Sequence, residues 1–344
     1  MHETLDIVLL LALPASGKSE VRRFLASRSV DEVRRDFGLA PTIQLDDFPY
    51  VHLMRRVDEV CLEAGAPGVF FEAPDRSFRD GRDWGTLIAL LNEDFRAVDG
   101  AMRAGASSAA PGAAKADVAK ADVAEMLARI DRASAKVGIE RARLGDLSEA
   151  LRARILRDLA ADVDRMHSEA AAVGVSTDGT TTVRGDDRTI VIELARGGAE
   201  GKAMPLEAPF GYRYSLGLLD PEILRRASVL YVWVTPEMSR EKNRARTDPN
   251  DPGSILHHGV PEHVMQNDYG CDDMAWLLAN GRRPRTIAIE TPEGTTFDIP
   301  VGRFDNREDK TSFVRGEPDT WDEAEIQRLR DGLCAAFDDI RGAR

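Results

Sequence analysis

Every position from Ile7 to Leu13 is apolar. An uninterrupted run of this kind predicts a parallel strand covered on both faces. Pro14 to Ser19 breaks it, and Val21, Phe24 and Leu25 then recur at helical spacing within 20–29. Thr42 to Leu45 reads as a second strand ending at Asp46-Asp47. Val51 to Ala64 reads as a helix stopped by Gly65 in the manner of a C-cap glycine. Val69 to Glu72 reads as a brief strand and Trp84 to Phe95 as a helix. Strand patterns resume at Thr189 to Leu194, Ser228 to Val234 and Thr286 to Glu290. Phe297 to Val301 is expected to pair with the last of these through the turn Pro292-Glu-Gly294. A helix from about Pro236 to Ala245 has proline in its first turn. Another, near Trp321 to Ile340, carries Ile326, Leu329, Leu333, Phe337 and Ile340 on one face. Strands alternating with helices predict an α/β fold with a mostly parallel sheet and right-handed crossovers.

The pattern is interrupted between the third and fourth expected strands. Residues 101–114 are rich in Ala, Gly and Ser, a linker by content. The unit Lys115-Ala-Asp-Val-Ala119 is copied at once as Lys120-Ala-Asp-Val-Ala124, a local duplication whose copies fall on different helix faces. Val123, Met126 and Ile130 share a face, and Leu151, Ile155, Leu159, Val163 and Met166 form a longer stripe. Residues 96–185 are therefore expected to be a helical insertion into an α/β core made of 1–95 and 186–344, with a lid region at 236–285.

Composition narrows the function classes. Of 344 residues, 43% are hydrophobic and 31% charged, as in a chain that buries a sizeable core. A formal net charge of -13 disfavours nucleic-acid partners, because backbone phosphates demand clustered Lys and Arg. Cys61, Cys271 and Cys334 are far apart, which suits a reducing compartment and neither a disulfide framework nor a thiolate zinc site. The N-terminus carries Glu3 and Asp6 before the apolar run and no Lys or Arg, unlike a secretory signal. No stretch approaches the roughly 18 apolar residues of a membrane span. A soluble, cytoplasmic protein is expected.

The segment with the most specific chemistry is Ala12-Leu-Pro-Ala-Ser-Gly-Lys-Ser19, between a strand and a helix. The phosphate-loop pattern G-x-x-x-x-G-K-[ST] requires that context. Gly17 lets the main chain approach a phosphate. Successive amides and the helix start supply partial positive charge. Lys18 would neutralise β- and γ-phosphate oxygens, and the Ser19 hydroxyl would ligate Mg²⁺. The alternative is a plain turn between strand and helix. The segment resembles the G-x-P-G-S-G-K-S loop of P-loop NTPases of the adenylate-kinase and uridine-kinase type. Pro14, Ser16, Gly17, Lys18 and Ser19 match; Ala12 and Ala15 stand where that family has glycine.

The resemblance implies a five-stranded parallel sheet flanked by helices, ATP or GTP with Mg²⁺ as cofactors, and γ-phosphoryl transfer to a small molecule. Pro14 to Ser19 would cradle the nucleotide. Thr189-Ile-Val-Ile-Glu193 is similar to a Walker B strand, so Glu193 would reach the metal through water; an acid at a strand end is the alternative. Gln44-Leu-Asp46-Asp47-Phe48 resembles the D-D-F-Y segment of uridine-kinase-like enzymes, where one aspartate takes the acceptor proton. Helix capping is the competing role for that pair. Arg240 and Arg244 fall on one helical face with Arg246 following. In nucleotide kinases such arginines reach the transferring phosphoryl group, and planar guanidinium groups suit that task; a solvated basic face is the alternative. Asp248 to Gly253 and His257-His258-Gly259 resemble a lid. His257, His258, His263, Cys271, Asp272 and Asp273 match no zinc spacing. Arg196, Arg76 and Tyr214 are candidate acceptor contacts. Two other readings stay open: a P-loop switch or sensor acting through a protein partner, and a polynucleotide 5′-kinase, which the net charge disfavours.

Overall fold

The computed structural model describes residues 4–103, 123–160, 188–246 and 259–344. Strand β1 (Ile7–Leu11) is buried at all of its positions, as its apolar run demands. It lies between β3 (Thr189–Leu194) and β4 (Ala227–Trp233) and is parallel to both. The six-stranded sheet has the order β2-β3-β1-β4-β6-β5, with β2 at Thr42–Asp46, β5 at Thr286–Glu290 and β6 at Thr296–Asp305. Strands β4 and β6 are parallel, while β5 runs antiparallel to β6 on the outer edge. The expected hairpin around Pro292–Gly294 is present. Its second strand is longer than the Phe297–Val301 run, reaching Asp305 and bringing a parallel neighbour to β4. The expectation of five parallel strands thus becomes six, one of them antiparallel.

The chain divides into two compact units, 1–44 with 187–344, and 45–186. In the first, one sheet face packs against α1 (Lys18–Ala26), α2 (Val30–Phe37) and α11 (Glu323–Ala343). Val8, Leu10, Leu230, Val232 and Phe304 from the strands meet Val21, Phe24, Phe37, Leu329, Leu333 and Phe337 from the helices. Burial of each such side chain contributes about 1.5–3 kcal/mol. The remaining helices of this unit are α6 (Gly211–Gly217), α7 (Pro221–Arg226), α8 (Pro236–Arg246), α9 (Glu262–Asn267) and α10 (Met274–Ala279).

The second unit contains α3 (Phe48–Glu63), α4 (Asp83–Arg103) and α5 (Val123–Lys136). Helix α4 continues unbroken past residue 96, where the insertion was expected to start. Ion pairs join α5 to α4: Arg129 to Asp94 at 2.9 Å and Lys136 to Glu93 at 2.6 Å. Arg143 grips the fully buried Asp83 with two bonds of 2.6 and 2.7 Å. The expected strand at Val69–Glu72 does not form; only an isolated bridge joins Phe71 to Phe78. The amides of Val69, Phe70 and Phe71 instead donate to the carboxylate of Asp58, at 2.6, 3.1 and 2.8 Å. Those donors are no longer available to a sheet ladder. Residues 104–122, which hold most of the linker and of the duplicated pentapeptide, lie outside the described residues, as do Val163 and Met166.

Candidate functional site

Strand β1 lies where the sheet order reverses: β2 and β3 stand on one flank of β1, β4 and β6 on the other, and the β3–β4 connection crosses between the flanks. Open α/β sheets bind ligands beyond the carboxyl ends of their strands at such a switch point. Ala12 still pairs with β3, its N–H donating to the Leu194 carbonyl at 3.4 Å. The loop then curls through two left-handed residues, Ala15 at φ 57° and Gly17 at φ 110°. Alternation of right- and left-handed residues turns successive N–H groups toward one concavity. Gly17 is required twice over. Its φ disfavours any Cβ, and a Cβ there would lie 2.7 Å from both Asn306 Nδ2 and Thr311 Oγ1.

Helix α1 begins at Lys18, with the Val21 N–H bonded to the Gly17 carbonyl at 2.9 Å. The Lys18 side chain folds back so that Nζ donates to the Ala12 carbonyl at 3.1 Å. Ser19, half-buried, is the second residue of α1. Three side chains distant in sequence flank the loop. Ser239, from the first turn of α8, donates from Oγ to the Pro14 carbonyl at 2.6 Å. Asn306, directly after β6, donates from Nδ2 to the Ser16 carbonyl and to Thr311 Oγ1, both at 2.8 Å. Ser239, Asn306 and Thr311 are all buried. Sequence reasoning missed them, because they lie more than 200 residues from the loop, and β6, with Asp298, Arg303 and Asp305 in it, marks no special polar residue at Asn306.

Glu193 occupies the carboxyl end of β3, opposite Leu10, and is buried. Its Oε1 lies 2.8 Å from Arg22 Nη1. Gln44 donates to the same carboxylate oxygen and accepts from Arg22, closing a three-membered polar ring. Arg22 stands one helical turn after Ser19, so Glu193 is held beside the face of α1 that follows the loop.

Helix α8 carries the arginines. Arg240 is largely buried, its guanidinium 3.5 Å from Glu200 and 3.7 Å from Glu237. Arg244 is exposed and pairs with Glu262 at 3.2 Å. Arg246 ends the helix; its side chain, the segment 247–258 and with it His257-His258 lie outside the described residues. Lys242 reaches Asp309 at 2.7 Å, tying α8 to the loop after β6.

Arg196 is buried, donating from Nε to Ser215 Oγ at 2.9 Å and from Nη1 to the Ala195 carbonyl at 2.8 Å. The glycines after it serve close packing. A Cβ on Gly197 would come within 2.4 Å of the Cys271 carbonyl, and Gly198 exchanges both backbone bonds with Cys271. Tyr214 is half-buried on α6, whose first amides, those of Tyr212 and Arg213, donate to Asp273 at 2.6 and 3.0 Å. The neighbouring Asp272 accepts from Tyr231 Oη at 2.7 Å and from the Met274 amide at 3.0 Å. Burial pushes its carboxyl up to about 6.

In the second unit, Asp46 accepts from the Phe48 amide at 2.9 Å and so holds the start of α3. Asp47, buried, is the N-cap residue of that helix without a capping bond from its side chain. Arg76 is half-exposed beside Asp75 at 3.6 Å. Among the described residues no group of three His, Cys, Asp or Glu side chains is placed to hold a metal, and no helix is long and apolar enough to cross a membrane.

The chain matches no protein-family model, no curated protein and no solved structure.

Proposed function

We propose that this chain is a P-loop phosphotransferase that binds ATP or GTP in the loop Pro14–Ser19 and passes the γ-phosphoryl group to a hydroxyl or phosphate of a small molecule. The observation carrying this reading is the cup after β1: two left-handed residues, a helix start at Lys18 and a lysine ammonium folded back over the loop carbonyl of Ala12. Converging amides and a helix N-terminus favour polyanions.

The residues present suit a triphosphate with its magnesium. Ser19 offers a hydroxyl in the first turn of α1, and Glu193 offers a buried carboxylate already oriented by Arg22 and Gln44. Mg²⁺, held there by Ser19 and through water by Glu193, would neutralise negative charge on the triphosphate. The chain's own groups do the rest. Loop amides and Lys18 orient the β- and γ-phosphates, and Arg240 and Arg244, on the helix that packs against the loop, supply further positive charge. Phosphoryl transfer draws its acceleration chiefly from such positioning and charge stabilisation. Asp46 and Asp47 enter as candidate bases on their place at the end of β2 in the sequence, and Arg196, Arg76 and Tyr214 as candidate acceptor contacts from the sequence alone.

Lys18→Ala tests the reading. The bond from Lys18 to the Ala12 carbonyl is worth about 1 kcal/mol of stability. The variant is therefore expected to melt close to wild type while nucleotide turnover falls about 100-fold or more. Turnover of ATP and GTP at the wild-type rate in a folded Lys18→Ala protein would sink the proposal.

A further inference from the structure

We infer that Ser239 and Asn306 are positioning residues that hold the phosphate cup open, an inference that rests on the polyanion-binding role proposed above. The argument starts from the planar peptide, in which a C=O and the following N–H point in opposite directions. Ser239 Oγ grips the Pro14 carbonyl at 2.6 Å, which aims the Ala15 N–H away from α8. Asn306 Nδ2 grips the Ser16 carbonyl at 2.8 Å, which aims the Gly17 N–H away from the loop after β6. Flipping a peptide changes ψ of the residue before it and φ of the residue after it. The residues after the two gripped carbonyls are Ala15 and Gly17, the two in this loop with positive φ, at 57° and 110°. For Ala15 the left-handed conformation is uphill. The peptide would relax toward negative φ, with its N–H turned out of the cup, unless its carbonyl were held from outside.

The donors are well fixed. The Lys310 amide donates to Asn306 Oδ1 at 2.7 Å, so the other end of the Asn306 side chain must be the NH₂ group facing Ser16. The Asn306 N–H extends the ladder of β4 by bonding the Trp233 carbonyl at 2.9 Å. The hydroxyl of Ser16 itself reaches the Pro14 carbonyl only at 3.5 Å, which leaves Ser239 as the main holder. The Lys242–Asp309 bridge of 2.7 Å joins the elements that carry the two grips. Affinity for the triphosphate therefore depends on two residues that never touch it.

The test is calorimetric titration of Mg·ATP, and separately of inorganic tripolyphosphate, into wild type, Ser239→Ala, Ser239→Thr and Asn306→Ala. Ser239→Ala and Asn306→Ala are each expected to weaken both ligands about tenfold, the weight of one hydrogen bond. Ser239→Thr, which keeps the hydroxyl, is expected to restore binding to within about threefold of wild type. A purely structural role would lower the melting temperature of the unliganded variants and leave Kd of the folded protein unchanged. Folded Ser239→Ala binding both ligands within twofold of wild type overturns the inference, as does a loss that Ser239→Thr fails to restore. If Asn306→Ala does not fold, the Ser239 pair decides alone. Wild type binding neither ligand overturns the polyanion reading itself and this inference with it.

Discussion

Ala15 holds a left-handed conformation, φ 57°, that the alanine side chain disfavours and glycine would not. The departure from the glycine pattern was visible in the sequence at both Ala12 and Ala15, but its consequences differ. Ala12 continues the pairing of β1 with β3 and needs no special backbone angle. At Ala15 the strain is about 1–2 kcal/mol, against which a glycine would lose about 0.5–1 kcal/mol of chain entropy on folding. Ala15→Gly is therefore expected to stabilise the protein by roughly 0.5–1 kcal/mol, read from the midpoint of denaturant unfolding at unchanged slope. A destabilised variant would show that the Ala15 methyl makes packing contacts outweighing its strain. Gly17 allows no such exchange, because Asn306 and Thr311 occupy the space of its missing Cβ. Nothing near Gly17 in the sequence announces those two residues, which lie almost the whole chain away.

At the scale of elements, legibility followed burial. Strands β1, β3 and β4 are covered on both faces, so their apolar runs carried the prediction. The stripe of α11 did the same through Leu329, Leu333 and Phe337. The short run at Val69–Glu72 misled because a four-residue apolar stretch does not say where its amides go, and here Asp58 takes three of them. A comparable polar joint links β4 to α10: Asp272 accepts from Tyr231 on the strand and from Met274 at the helix start. Burial raises the Asp272 carboxyl from 3.8 to about 6, so between these values the folded protein binds more protons than the unfolded chain. Stability must therefore fall as pH rises through that window, by up to ~3 kcal/mol from this group. Asp272→Asn keeps the shape, an acceptor for the Met274 amide and a donor toward Tyr231. It is expected to be more stable than wild type at pH 7 and to lose the slope between about pH 4 and 6. Parallel stability–pH curves for the two proteins would remove Asp272 as the source.

For the molecule as a whole, the fold class was legible from alternation, while the placement of the site was legible only in part. The turn between β1 and α1 and the place of Glu193 at the end of β3 could be read from the apolar runs; the bonds onto that turn required the sheet order that sets β4 and β6 on the far side of β1. That order makes the loop a junction. Ala12 bonds β3, Ser239 brings α8, and Asn306 brings the end of β6, all within the unit formed by 1–44 and 187–344. A ligand held at a junction of this kind stabilises every element that must come apart in unfolding. At a concentration 100 times Kd the gain is about 2.7 kcal/mol, which slows exchange through global opening by about 100-fold. Saturating Mg·ATP is accordingly expected to slow hydrogen exchange by that factor at the central amides of β1 and β4, well away from the loop. Protection confined to residues 12–20 would mean instead that the cup binds its ligand without engaging the core, and that the bonds from Ser239 and Asn306 do not transmit the load.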